Sequence, residues 1–171
     1  MFPPLIRMML IGLSIVAAIV ALNQGRETWI LYFGAAIFLV FEHFKGGSIW
    51  LAFQAYRKQN FDKVRKYLSA TKKPEWLRPS SRAYYHFLSG AISTIDKDYK
   101  KAKDLFLLAV NVGLRTDHMQ SVTYCILADT SLHLNELDEA KAFFEKAKKI
   151  PHRDEIQPMF EDLSNRINEK A

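Results

Sequence analysis

Three segments of the chain repeat one another at a fixed spacing, and no other feature limits the possible folds as tightly. IWLAFQAYRKQNFDKVRKYL starts at Ile49, FLSGAISTIDKDYKKAKDLFLLA at Phe87 and CILADTSLHLNELDEAKAFFEKA at Cys125, each start 38 residues after the one before. Matching places carry matching sizes: Ala52, Gly90 and Ala128; Phe61, Tyr99 and Leu137; Val64, Ala102 and Ala140; Leu68, Phe106 and Phe144; Thr71, Ala109 and Ala147. Small residues let two antiparallel helices approach closely, and large apolar ones fill the space between successive pairs. The pattern therefore predicts an all-α solenoid of about three helix pairs.

Helix boundaries follow from the punctuation. Pro74 and Pro79 bracket a loop, Ser80 or Ser81 is expected to cap the next helix, and Asp117 with Gln120 forms a capping-box-like pair. Asn135 with Glu136 marks a turn. After Pro151, Ile156, Phe160, Leu163 and Ile167 fall on one helical face, opposite Glu161, Asp162, Asn165 and Arg166. A solenoid's terminal cap needs such a polar outer face.

The repeats resemble the tetratricopeptide repeat over roughly residues 45 to 152. The third unit carries Tyr124, Leu127, Ala128, Leu137, Ala140, Phe144, Ala147 and a late Pro151; the second carries Gly90, Tyr99, Ala102, Phe106 and Ala109. The first has Val64 and Thr71 where the family favours alanine, and the period exceeds the family's usual length of about 34 residues, which assigns longer links to TKKPEWLRPSS and VGLRTD. The resemblance implies a domain over 45–171, with repeats at about 45–76, 81–114 and 117–151 and a capping helix at 154–169. It also implies that the first helix of each pair lines a groove. By position, Ile49, Phe53, Tyr56, Arg57, Tyr84, Phe87, Ala91, Cys125, Asp129 and His133 face it. Phe53, Tyr56, Arg57, Tyr84, Phe87, Asp129 and His133 are the expected partner-binding set, and core packing is the alternative for each. The family's Lys, Asn and Arg clamp for acidic carboxy-termini is absent, so the expected occupant is an apolar or helical protein segment.

The first 44 residues have a different character, with Arg7, Arg26, Glu27 and Glu42 as their only charges. Met8 to Gly25 is uncharged for 18 residues, about 27 Å as a helix, against roughly 30 Å of bilayer hydrocarbon. Thr28 to Phe41 is shorter, and Glu42, His43 and Phe44 can carry it into the headgroups. Residues 1–44 are thus expected to form a transmembrane helical hairpin, with helices at about 6–24 and 28–44. Arg7 before an apolar run also resembles the start of a signal peptide, but the cleavage site is poor and a second apolar segment follows at once. Arg7 at one end and Lys45, Arg57, Lys58 and Lys63 at the other outweigh Arg26 in the loop. Both termini are therefore expected to be cytoplasmic, as in a bacterial inner membrane, with Trp29 and Tyr32 as interfacial anchors on the far side.

The net charge of +6 is unevenly spread: Lys45 to Arg82 holds ten basic residues against Asp62 and Glu75. Because this block follows an apolar segment, anionic lipid is expected for Lys45, Arg57, Lys58, Lys63, Arg65, Lys66, Lys72 and Lys73 rather than nucleic acid. The five histidines have no metal-ligand spacing, and Cys125 lies eight residues from His133, about 12 Å along a helix and too far for activation. No phosphate loop or nucleophile elbow is present. The expectation is no metal, no cofactor and no enzyme, but a membrane-anchored scaffold that binds a protein segment at the cytoplasmic membrane surface. The alternative is an accessory or assembly subunit of a larger integral-membrane complex, docked through its hairpin by Gly12, Ser14, Ala17, Ala18 and Ala21.

Overall fold

The computed structural model describes the backbone of residues 4–25, 27–44 and 47–170, and side chains of 9–25, 27–37 and 48–170. Arg26 and Lys45, and the side chains of Arg7, Glu42, His43 and Phe44, lie outside the described residues. Among those described there are nine α-helices, two short 3₁₀ turns and no strand, which establishes the all-α class. The chain divides into two compact units, Met1–Ser48 and Ile49–Ala171.

In the first unit α1 (Pro4–Asn23) folds back on α2 (Trp29–Phe44). Gly25 makes the turn possible: its φ of +64° is left-handed, and its N–H donates to the Leu22 carbonyl at 3.1 Å. Ala18, Ala21 and Ala36 are buried, and their lack of bulk lets the helices approach. The large apolar side chains lie outside, with Met9, Leu13, Val16, Ile19, Leu31 and Ile37 all exposed. Among the described residues no helix is long and apolar enough to cross a membrane.

The second unit contains α3 (Gly47–Arg57, begun just before the unit boundary), α4 (Phe61–Ser69), a 3₁₀ turn (Pro74–Trp76), α5 (Pro79–Ile95), α6 (Tyr99–Val112), α7 (Asp117–His133), α8 (Leu137–Lys149), a second 3₁₀ turn (Asp154–Ile156) and α9 (Gln157–Glu169). The spacing of 38 seen in the sequence is carried by the backbone. Gln59, Lys97 and Asn135 each take a left-handed φ, +56°, +60° and +60°. Immediately after them the N–H groups of Asn60, Asp98 and Glu136 donate to the carbonyls of Ala55, Ser93 and Ser131, each at 2.9 Å. This is the Schellman way of ending a helix, in which a bond reaching five residues back satisfies an orphan carbonyl. Asn60 and Asp98 then cap the following helices, accepting from the Lys63 and Lys101 N–H groups at 3.2 Å.

The repeated small and large residues are the buried ones: Ala52, Ala102, Ala128 and Ala140 are fully covered, as are Val64, Phe106, Ala109 and Ala147. At Gly90 a Cβ would lie 2.9 Å from Phe106 Cε1, so glycine is required by the phenyl ring that fills its place.

Two predicted caps are corrected. α5 starts at Pro79 with Arg78 as its N-cap, so neither Ser80 nor Ser81 caps it; proline suits the first helical position because its φ is preset and its missing N–H is not needed there. Thr116 rather than Asp117 caps α7, its extended backbone (φ −129°) letting the hydroxyl accept from the Met119 N–H at 3.2 Å. The terminal helix begins at Gln157, after the second 3₁₀ turn. It continues the register, since Ile49, Phe87, Cys125 and Leu163 are all buried and each stands 38 residues after the last. Arg153 near His118, Arg166 near Asp129 and Lys170 near Leu132 show α9 running beside α7 in the same direction. It occupies the place of a fourth first helix.

Candidate functional site

The expected partner-binding residues separate into an aromatic group and a polar group. Phe53 on α3 meets Tyr84 on α5 edge-on, with ring centroids 5.2 Å apart. One turn on, Tyr56 meets Phe61 at 6.4 Å and Phe87 at 5.8 Å, and Phe87 meets Phe106 at 5.8 Å. Such edge-on pairs place a positive ring edge on a negative face. Depth divides them. Phe53, Tyr56 and Tyr84 are half-buried, whereas Phe87 is 1% exposed. Phe87 is therefore a core residue, as are Ile49, Ala91 and Cys125, and the expectation that these line an open groove is corrected. Burial raises the Tyr56 and Tyr84 phenols, the latter partly offset by the charge of Arg115. Both remain neutral hydroxyls at pH 7. Arg57 is exposed at the end of α3.

Asp129 and His133 do share a helical face, with Nε2 to Oδ2 at 3.8 Å. Both are already engaged. Asp129 Oδ1 meets the Arg166 guanidinium of α9 at 2.6 Å, and the His133 ring stacks on Tyr99 of α6 with centroids 4.4 Å apart and planes 6° from parallel. They tie neighbouring helices together while staying partly exposed. The Cys125 thiol is pushed up to about 12 by burial, which keeps it protonated and unreactive. Among the described residues no group of His, Cys, Asp and Glu could hold a metal ion.

The basic residues divide too. Arg57, Lys58, Lys63, Lys66, Lys72 and Lys73 are exposed, and Lys73 Nζ sits 4.2 Å above the Trp76 ring. Arg65, also exposed, makes two bonds to Asp96, at 2.6 and 2.9 Å, reaching from α4 to the end of α5. Lys103 makes the next such link one repeat later, pairing with Glu136, the N-cap of α8, and with Glu139 in its first turn. Arg65 and Lys103 are 38 residues apart, a spacing that could have revealed these inter-repeat latches. Arg166 was hidden because its partner is recognised only once α9 is placed as a further first helix. Trp50, Leu51 and Trp76 are exposed as well, a feature whose signal in the sequence is large apolar residues outside the repeated small-and-large pattern.

Compared with known proteins, the chain matches no family model, and no curated protein or solved structure matches it.

Proposed function

We propose that the chain is a membrane-tethered adaptor of tetratricopeptide type: the hairpin lies in the bilayer, and the aromatic face of α3 and α5 holds a segment of a partner protein. The observation that carries the reading is the pairing of Phe53 with Tyr84, half-buried aromatics from successive first helices of a repeat array. Each offers a rigid apolar face with little entropy to lose, the character of an interface hot spot. The partner is a protein segment, apolar or helical, because the pair offers aromatic faces and the family's Lys, Asn and Arg clamp is absent from the sequence.

Support for the anchor is steric. Large apolar side chains of α1 and α2 are exposed while alanines fill the seam, an arrangement costly in water and favourable in lipid. The uncharged run of 18 residues from Met8 to Gly25 and the basic block after Phe44 add orientation, with both termini cytoplasmic in a bacterial inner membrane.

Site-specific photocrosslinking in cells tests the adaptor reading. A photoreactive residue at position 53 or 84 should give one defined protein adduct, and one at Leu108, exposed on a second helix, should not. Adducts from position 108 alone, or from none of the three, refute it.

A second reading, an accessory subunit docked through its hairpin, is favoured by Gly12 and Gly34, around which a Cβ would meet nothing within 4 Å. Open glycines on a lipid-facing surface let another transmembrane helix approach closely. Crosslinks from positions 12 and 34 to an integral membrane protein would favour it.

A further inference from the structure

Every repeat in a solenoid is covered on one side by the repeat before it, and the first has no such neighbour. Alignment at 38 residues places Trp50 with Leu88 and Ile126, and Leu51 with Ser89 and Leu127. Leu88 and Leu127 are fully buried, yet Trp50 is 49% and Leu51 38% exposed. The other end of the array ends in the exposed Glu161, Asp162 and Asn165 of α9. The far end exposes one large apolar side chain, Met159, among these polar ones, whereas the near end exposes Trp50 and Leu51 together.

We propose that the bilayer interface itself serves as the amino-terminal cap of the array, with Trp50 and Leu51 seated among anionic headgroups. The inference rests on the reading of α1 and α2 as lipid-embedded and extends it to the repeat domain. Trp50 comes six positions after Phe44, the end of α2, a span of at most about 21 Å at about 3.5 Å per residue. α3 carries no acidic residue and ends in Arg57. Exposed Lys58, Lys63 and Lys66 follow on the next turn and helix. Indole prefers the headgroup layer, and clustered cations are drawn to anionic lipid.

The chain has three tryptophans, Trp29, Trp50 and Trp76, so depth can be read one ring at a time. The full chain is reconstituted in vesicles of phosphatidylcholine with phosphatidylglycerol, as W29F/W76F to leave Trp50 and as W50F/W76F to leave Trp29. Lipids brominated near the glycerol should remove most of the Trp50 emission, aqueous iodide little of it, and pure phosphatidylcholine vesicles should weaken the Trp50 quenching while leaving that of Trp29. If Trp29 is quenched by lipid and Trp50 only by iodide, the cap is wrong and the anchor stands. If neither responds to lipid, the anchor fails and the cap with it. A Trp50 shielded from both quenchers is covered by protein, and a Trp50 quenched equally in neutral vesicles does not depend on anionic headgroups; either outcome overturns the proposal.

Discussion

Gly90→Ala sets two effects of similar size against each other, and the structure decides between them. In a helix interior alanine is favoured over glycine by about 1 kcal/mol. Here the added methyl would sit 2.9, 3.0 and 3.1 Å from three atoms of Phe106, well inside the 3.5–4.0 Å or so at which carbon atoms attract. Phe106 is fully buried and held edge-on against Phe87, so its ring cannot swing into solvent. Overpacking of this kind costs about 1–3 kcal/mol. The net expectation is a loss of about 1 kcal/mol, near 4 °C in Tm for a unit of this size. The third repeat holds both Ala128 and Phe144, but there the ring packs towards Phe160 of α9 at 5.7 Å. The first repeat pairs Ala52 with Leu68. Hence in a Phe106→Leu background the same Gly90→Ala change should raise stability, a coupling of about 1–2 kcal/mol between touching residues. Urea unfolding of the full chain and its three variants in detergent, followed by circular dichroism, measures it. Should Gly90→Ala raise stability in the wild-type background, helix propensity wins and the wedge role of Phe106 is refuted.

Phe87→Ala should lose about 3–5 kcal/mol of stability by opening a core cavity, whereas Tyr84→Ala should melt much closer to the wild type and lose the partner; equal melting of the two would erase the division of the aromatic group. Lys97→Gly should gain about 0.5 kcal/mol by relieving a left-handed lysine at φ +60° and Asn135→Gly less, since asparagine tolerates that conformation; the reverse order in urea midpoints would contradict it. Burial works against the charge of Lys103, but Glu136 and Glu139 more than offset it and raise its pKa above the ordinary 10.5. Its contribution is therefore complete below about pH 10.5 and lost as pH rises through the higher folded value. An alkaline loss of stability that is as large in Lys103→Met as in the wild type would remove Lys103 from the account. Cys125 should react with thiol reagents only when the domain unfolds, so labelling in native buffer at the rate of a free thiol would disprove its burial.

The helix pairs were legible because the small residues that permit close approach and the large ones that fill the gaps recur at the same places. Ala102 and Ala140, or Phe106 and Phe144, need no coordinates to be matched. Caps were less legible, since Thr116 and Asp117 are equally suitable by type and only the backbone angle at Thr116 chooses between them. Tyr84 and Phe87 looked alike in sequence; three residues apart on one helix, they differ by the small rotation that sends one to the surface and the other to the core. The pairing of Asp129 with Arg166 was not legible, because Arg166 belongs to a helix whose place in the array is not evident from composition. The hairpin's two helices were visible as apolar runs.

The latches from Arg65 to Asp96 and from Lys103 to Glu136 and Glu139 point the same way along the chain, a cation from the second helices α4 and α6 reaching an acid of the following repeat. The joints are keyed. An inserted copy of the middle repeat, Phe87 to Tyr124, would arrive with both halves of the key, accepting Arg65 at one side and offering Lys103 at the other. Between two such copies, however, Lys103 would meet Asp98 and Lys101, the counterparts of Glu136 and Glu139. Tandem duplication of the middle repeat would therefore need an acid in the place of Lys101 to close the new joint, so each key fits its own joint.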